Sequence, residues 1–132
     1  GSIVGIRYNS SSVGSIGVTS SSTSFNTSSD YRLKENVVDL TGAKARLNNL
    51  DAKRFNFTVN PSVTVDGFLA HEVATVVPEA ISGTKDEVDS DGNPVYQGID
   101  QSKLVPLLTA ALQEAFAEID ALTTRVAALE AG

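Results

Sequence analysis

From position 105 to the end of the chain, apolar residues fall at Val105, Leu108, Leu112, Ala115, Ile119, Leu122, Val126 and Leu129, a 3-4-3-4 alternation. With Val105 at position a, the a layer reads Val, Leu, Ile, Val and the d layer Leu, Ala, Leu, Leu. A heptad held this long demands a helix with an apolar seam, and such a seam needs a partner in water. Pro106 falls in the first turn, where a missing N–H is harmless. Asp100 or Ser102 is placed to cap the start. Leu104, Leu107, Ala111 and Phe116 add apolar surface upstream, so that half of the helix is expected to pack on the rest of the chain. The last turns are expected to self-associate. Arg125 at g and Glu130 at the following e suit parallel chains. The β-branched a and Leu d preference points nominally to dimers, Leu112 and Ala115 weaken it, and the heptads alone leave the number of chains open.

The opposite end is built differently. Residues 1–29 carry one ionised side chain, Arg7, amid dense Gly and Ser. Ile3, Ile6, Val13, Ile16, Val18 and Phe25 recur through this stretch, and "GSIVGI" and "GSIGV" echo each other. A flexible linker seldom spaces Ile and Val this way. Very short strands joined by turns fit better, but one chain has little to bury their apolar faces with, so neighbouring chains are expected. No initiator Met is present, which favours a fragment of something longer.

Between these ends, residues 30–100 read as mixed structure. Leu33, Val37 and Leu40, then Ala43, Leu47 and Leu50, have the spacing of short helical turns. "KRFNFTV" alternates as a half-buried strand stopped by Asn60-Pro61. "SVTVDGFLA" stays extended, with a turn expected at Asp66-Gly67. "HEVATVVPEAI" returns to helical spacing as far as Pro78, and "EVDSDGNPVYQGID" suggests two strands about a turn at Asp91-Gly92-Asn93-Pro94.

The net charge of −6 argues against nucleic acid or an anionic membrane as the main partner. No apolar run reaches membrane-spanning length. Without cysteine, thiolate metal sites and disulfides are excluded. His71 is the lone histidine, which excludes a His-Glu-x-x-His metal site, and no Ser-His-Asp triad centred on Ser29 is favoured. The calcium-loop echo at Glu87, Asp89 and Asp91 fails at its twelfth position, which is Gly98. No metal or cofactor is expected.

At the boundary between the Ser-rich and charged regions stands "TSSDYRLKEN", residues 27–36. A Ser or Asp here reads most simply as a cap. A sharper reading pairs Ser29 with Lys34, five residues apart. A serine hydroxyl is a weak nucleophile until a base takes its proton, and a lysine is that base when burial or a nearby cation disfavours its charge. Arg32 is such a cation, and Glu35 opposes it.

Four ordered blocks connect this boundary to a family. "SSDYRLKENV", "LNNLDAKRFNF", "DGFLAHEVATVVPEAI" and "GIDQSKLVPLLTAALQEAFAEIDAL" resemble the C-terminal intramolecular chaperone domain (S74 peptidase family) of phage tailspike, tail-fibre and endosialidase proteins. The resemblance covers about residues 29–130, with His71 where many members carry glutamine.

That resemblance implies an α+β fold: an intertwined homotrimer with small β-hairpins, short helices and a long C-terminal coiled-coil helix, preceded by a β-structured stalk. Residues 1–29 would end a fibrous stalk of triple-β-helix type, 30–100 form the chaperone's globular region and 101–132 its helix. The domain would trimerise, template folding of the upstream stalk of the same polypeptide, and release itself by cutting between Ser29 and Asp30. Ser29 and Lys34 would be the dyad, Asp30 and Arg32 would position the junction, and Ser28 is an auxiliary candidate. Glu72 would be structural or part of the interface. Assembly would take place in the host cytoplasm, leaving the fibre in the virion tail without its chaperone. Other readings are a trimerisation module that does not cut and a receptor-binding tip retained on the fibre.

Overall fold

The computed structural model describes residues 1–132, the side chain of Ser2 excepted. It is α+β, with three small antiparallel sheets and one long C-terminal helix. The chain forms two compact units, Gly1–Asp39 and Leu40–Gly132.

The first unit is a meander of β1 (Ser2–Tyr8), β2 (Ser11–Val18) and β3 (Thr23–Thr27), in that order. Asn9 and Ser10 link β1 to β2 with φ of 45° and 66°, the left-handed pair that a tight hairpin turn requires. The β2–β3 loop closes through the Thr19 N–H donating to the Ser22 carbonyl at 2.9 Å, while Thr19 Oγ1 accepts from the Ser21 and Ser22 N–H groups. As the composition suggests, this sheet leaves much of its apolar surface in water: Ile3, Ile6 and Phe25 are exposed, while Ile16 and Val18 of the central strand are half-buried. Beyond it, the helical turns expected over Leu33–Leu40 reduce to a single 3-10 turn at Tyr31–Leu33. Lys34 is already extended at φ −125° and ψ 144°, which ends the turn, and Asn36 follows with a left-handed φ of 54°.

The second unit holds the whole hydrophobic core: Ala43, Val73, Val77, Ala80, Leu104, Leu107 and Ala111. These come from α1 (Ala43–Leu47), α2 (Ala70–Val73) and the turns after it, and the start of α3 (Val105–Ala131) with the 3-10 turn Gln101–Leu104 that leads into it. Asp100 caps that turn, accepting from the Ser102 N–H at 3.0 Å and from Ser102 Oγ at 2.6 Å. Gly42 precedes α1 at φ 67°, a conformation that costs a side-chain-bearing residue strain. Glu114 of α3 then accepts the first two N–H groups of α1, from Ala43 at 2.9 Å and Lys44 at 2.7 Å, and Lys44 pairs with Glu118. A carboxylate from one helix thus caps another.

A hairpin of β4 (Lys53–Phe57) and β5 (Asn60–Gly67) projects from this core. Its turn is Thr58-Val59, and Asp66-Gly67 closes the far end of β5 instead. Pairing of Arg54 with Asp66 across the strands, Nε to Oδ1 at 2.7 Å, fixes this register. The two strands expected after Glu87 shrink to one bridge, Val88 with Pro94, because Asp89 draws the loop into a side-chain-capped turn. The chain continues to β7 (Gly98–Ile99), which pairs with β6 (Ile81–Ser82).

The long helix separates its two apolar stripes. Leu104, Leu107 and Ala111 face the core. The heptad seam lies about a quarter-turn around the helix, at 100° per residue, and stays open. Val105 is 56%, Leu112 54%, Ile119 55% and Leu122 55% exposed. Phe116, expected to pack inward, is exposed with the seam. The whole chain presents 10508 Å² to solvent, against about 6,600 Å² for a folded monomer of this mass.

Candidate functional site

The candidate site begins where β3 ends. The last paired residue of that strand is Thr27, opposite Gly14. One more ladder bond follows, the Ser28 N–H donating to the Val13 carbonyl at 3.1 Å. Ser29 is the first residue beyond the sheet. Among the described residues, the Ser28 and Ser29 carbonyls accept no hydrogen bond.

Asp30 starts the next constraint. Its backbone is extended, and Oδ1 accepts the Arg32 N–H at 2.9 Å, which caps the 3-10 turn. The Arg32 guanidinium folds back on the same carboxylate as a fork, Nε to Oδ1 at 2.9 Å and Nη2 to Oδ2 at 2.8 Å. These bonds from Arg32 hold the Asp30 carboxyl below the usual carboxylate range and raise the guanidinium's own pKa. The turn closes with the Leu33 N–H on the Asp30 carbonyl and the Lys34 N–H on the Tyr31 carbonyl, each at 3.1 Å.

The turn reverses the chain, so Lys34 comes back alongside Ser29. Lys34 Nζ donates to Ser29 Oγ at 2.8 Å. This distance lies within the reach a general base needs. In the charged form the ammonium donates to the hydroxyl; with one proton fewer, the amine accepts the hydroxyl's proton across the same gap. Arg32 is engaged by Asp30 and makes no bond to either member of the pair. Ser28 lies beside the pair in sequence and is not bonded to it. Every residue from Ser28 to Asp39 is exposed, so the pair is formed in open solvent.

The remaining sequence candidates fall elsewhere. The seam residues of α3 form the open stripe described above. Glu72 pairs with Lys53 at 3.7 Å, and its Oε2 is enclosed without a hydrogen bond. His71 lines an apolar groove with Phe55, Phe57, Phe68 and Ile99. The Asp89 carboxylate is occupied by N–H groups of Asn93 and Asp91, which hold it below the usual range. One participant escapes sequence reasoning: the Val13 carbonyl, because a backbone atom leaves no side-chain signature.

Residues 29–82 match the Peptidase_S74 family, described as chaperone of endosialidase. The matched segment opens on Ser29 itself. Among curated proteins, none matches the chain.

Proposed function

We propose that this chain, which carries an S74 chaperone domain over residues 29–82, is an intramolecular chaperone of a phage fibre that removes itself by self-cleavage. Three copies gather through the α3 seam, align the strands upstream of Ser29 and then cut between Ser29 and Asp30. The fibre stays in the virion tail, and the chaperone is left behind in the host cytoplasm. The observation that carries the reading is the 2.8 Å contact between Lys34 Nζ and Ser29 Oγ at the end of a β-sheet.

Assembly answers the exposed apolar surface, because a half-open seam over eight heptad positions, Val105 to Leu129, gains most by burial against copies of itself. It also raises the local concentration of stalk strands whose pairing is otherwise slow. Burial disfavours a charged lysine, so closing water out of the junction between chains turns a solvated pair into a base and a hydroxyl. Cutting afterwards makes folding hard to reverse, since the fibre keeps its unfolding barrier and loses its assembly factor.

The bond to be cut limits the route. If Ser29 Oγ attacked the Ser28 carbonyl, it would break Ser28–Ser29, and attack on its own carbonyl would close a four-membered ring. Two routes reach Ser29–Asp30. In one, the Ser29–Lys34 pair takes a proton from water, and the hydroxide adds to the Ser29 carbonyl. In the other, the pair takes the proton of Ser28 Oγ, which adds to that carbonyl, and water hydrolyses the resulting ester once the amine has left. Both expel the Asp30 amine, which receives the proton the pair has taken. Ser29→Ala and Lys34→Ala are expected to leave one uncut mass while the parent gives two fragments dividing at Ser29–Asp30. If both variants cut as fast as the parent, the dyad is wrong.

A further inference from the structure

We infer that Phe116 of each copy plugs an apolar groove on the next copy, so that the core of Leu40–Gly132 is completed by a neighbour's side chain. This rests on the gathering of copies through the α3 seam proposed above; the plug adds the side chain and the groove by which neighbours lock.

The core that one chain builds is small. Its seven buried residues are three alanines, two valines and two leucines, with no aromatic among them. Beside it lies a groove of about 400 Å³ walled by Leu47, Leu50, Phe68, Leu104 and Leu108. Leu108 is also a d position of the seam and is half exposed, so groove and seam form one continuous apolar surface. The chain exposes about 3,900 Å² more than a folded monomer of its mass, ample for the roughly 1,600 Å² that a stable interface buries. A second copy is the occupant this surface fits.

Phe116 is the part of that copy placed to enter the groove. It stands at heptad position e and is half exposed. It lies on the flank of the seam away from its own core, roughly 150° around the helix from Leu104, Leu107 and Ala111 at 100° per residue. The e residues on either side do not reach outward: Thr109 and Thr123 donate Oγ1 to the Val105 and Ile119 carbonyls of their own helix, each at 2.8 Å. In the parallel arrangement that Arg125 and Glu130 suit, position e stands beside the neighbour's g five residues earlier. For Phe116 that residue is Ala111, which belongs to the neighbour's core. Long helical side chains lean toward the N-terminus, and this lean carries the ring from Ala111 toward the Leu47–Leu108 end of the groove.

The chain has no cysteine, so two introduced thiols report one contact. Leu47→Cys with Phe116→Cys in the same chain, treated with a short bis-maleimide when assembled, is expected to give covalently linked copies on a denaturing gel. Leu47→Cys with Ala117→Cys, which faces away from the seam, should give single chains. Leu50→Cys stands in for Leu47→Cys where the latter disturbs the core. Phe116→Ala should raise the concentration at half-assembly by at least roughly 10-fold in sedimentation and leave the melt of the unassembled chain unchanged. Copies that assemble yet stay unlinked with both the Leu47 and Leu50 partners, or a Phe116→Ala chain that assembles like the parent, would overturn the plug and leave the seam in place. A parent that does not assemble removes seam and plug together. Both thiol positions lie downstream of Ser29–Asp30, so a linked parent that never cuts removes the self-cleavage alone.

Discussion

Gly1–Asp39 ties its backbone into a three-stranded meander, yet none of the buried hydrophobic residues belongs to it. Leu40–Gly132 has shorter, poorer sheets and holds all seven. Net gain from backbone hydrogen bonds is modest because water competes for the same groups, and a small sheet without a buried face is marginal. The first region therefore needs burial from outside itself. The second has a seed of a core, with an open seam that several chains can share. The proposed function assigns these two regions different parts, the first to be folded and the second to gather the chains.

Charging the seam is expected to break this contrast most severely. Leu112→Asp would place an unpaired carboxylate inside any assembly, where an unpaired charge costs several kcal/mol. The assembled fraction at micromolar protein should fall by more than about 100-fold, as read by sedimentation. A variant that assembles like the parent would detach the seam from oligomerisation. Next comes the seed itself: Leu107→Ala removes the contact of a 2% exposed side chain and should destabilise the second region by about 2–3 kcal/mol in denaturant titration. The corresponding truncation at exposed Phe25 should change a single chain little.

Smaller effects sharpen the account of how α3 organises the second region. Gly42→Ala meets no steric contact but must adopt φ 67°, so a loss of about 1 kcal/mol is expected. Glu114 offers a pH test. The Lys44 and Ala43 N–H groups hold its carboxyl below the ordinary value of 4.5 when folded. Its stabilisation is therefore fully present above that ordinary value and is lost as pH falls through the depressed folded one. Glu114→Gln should flatten this part of the acid limb in a pH series of thermal melts, and an unchanged limb would mean that the cap contributes nothing.

The helix was legible in the sequence because a heptad over Val105–Leu129 has one physical reading. The Lys53–Phe57 strand was legible from its alternation. The inward packing of Leu104, Leu107 and Ala111 was legible as extra apolar surface upstream, but the exposure of Phe116 was not, because it is as apolar as they are and only the docking of α1 separates the two faces. The hairpin turn was misplaced because Asp66-Gly67 has turn chemistry while Thr58-Val59 has none. Cross-strand register prevailed over local propensity. At the junction the residue types were readable. Their contact depends on a turn capped by Asp30, which turns a loose five-residue spacing into a hydrogen bond.

The most direct test of the central claim is intact mass measured separately on the assembled and unassembled fractions of the parent protein. The account predicts two fragments dividing between Ser29 and Asp30 in the assembled fraction and a single full-length mass in the unassembled one. Full-length mass throughout the assembled fraction, or a cut at another bond, would contradict it.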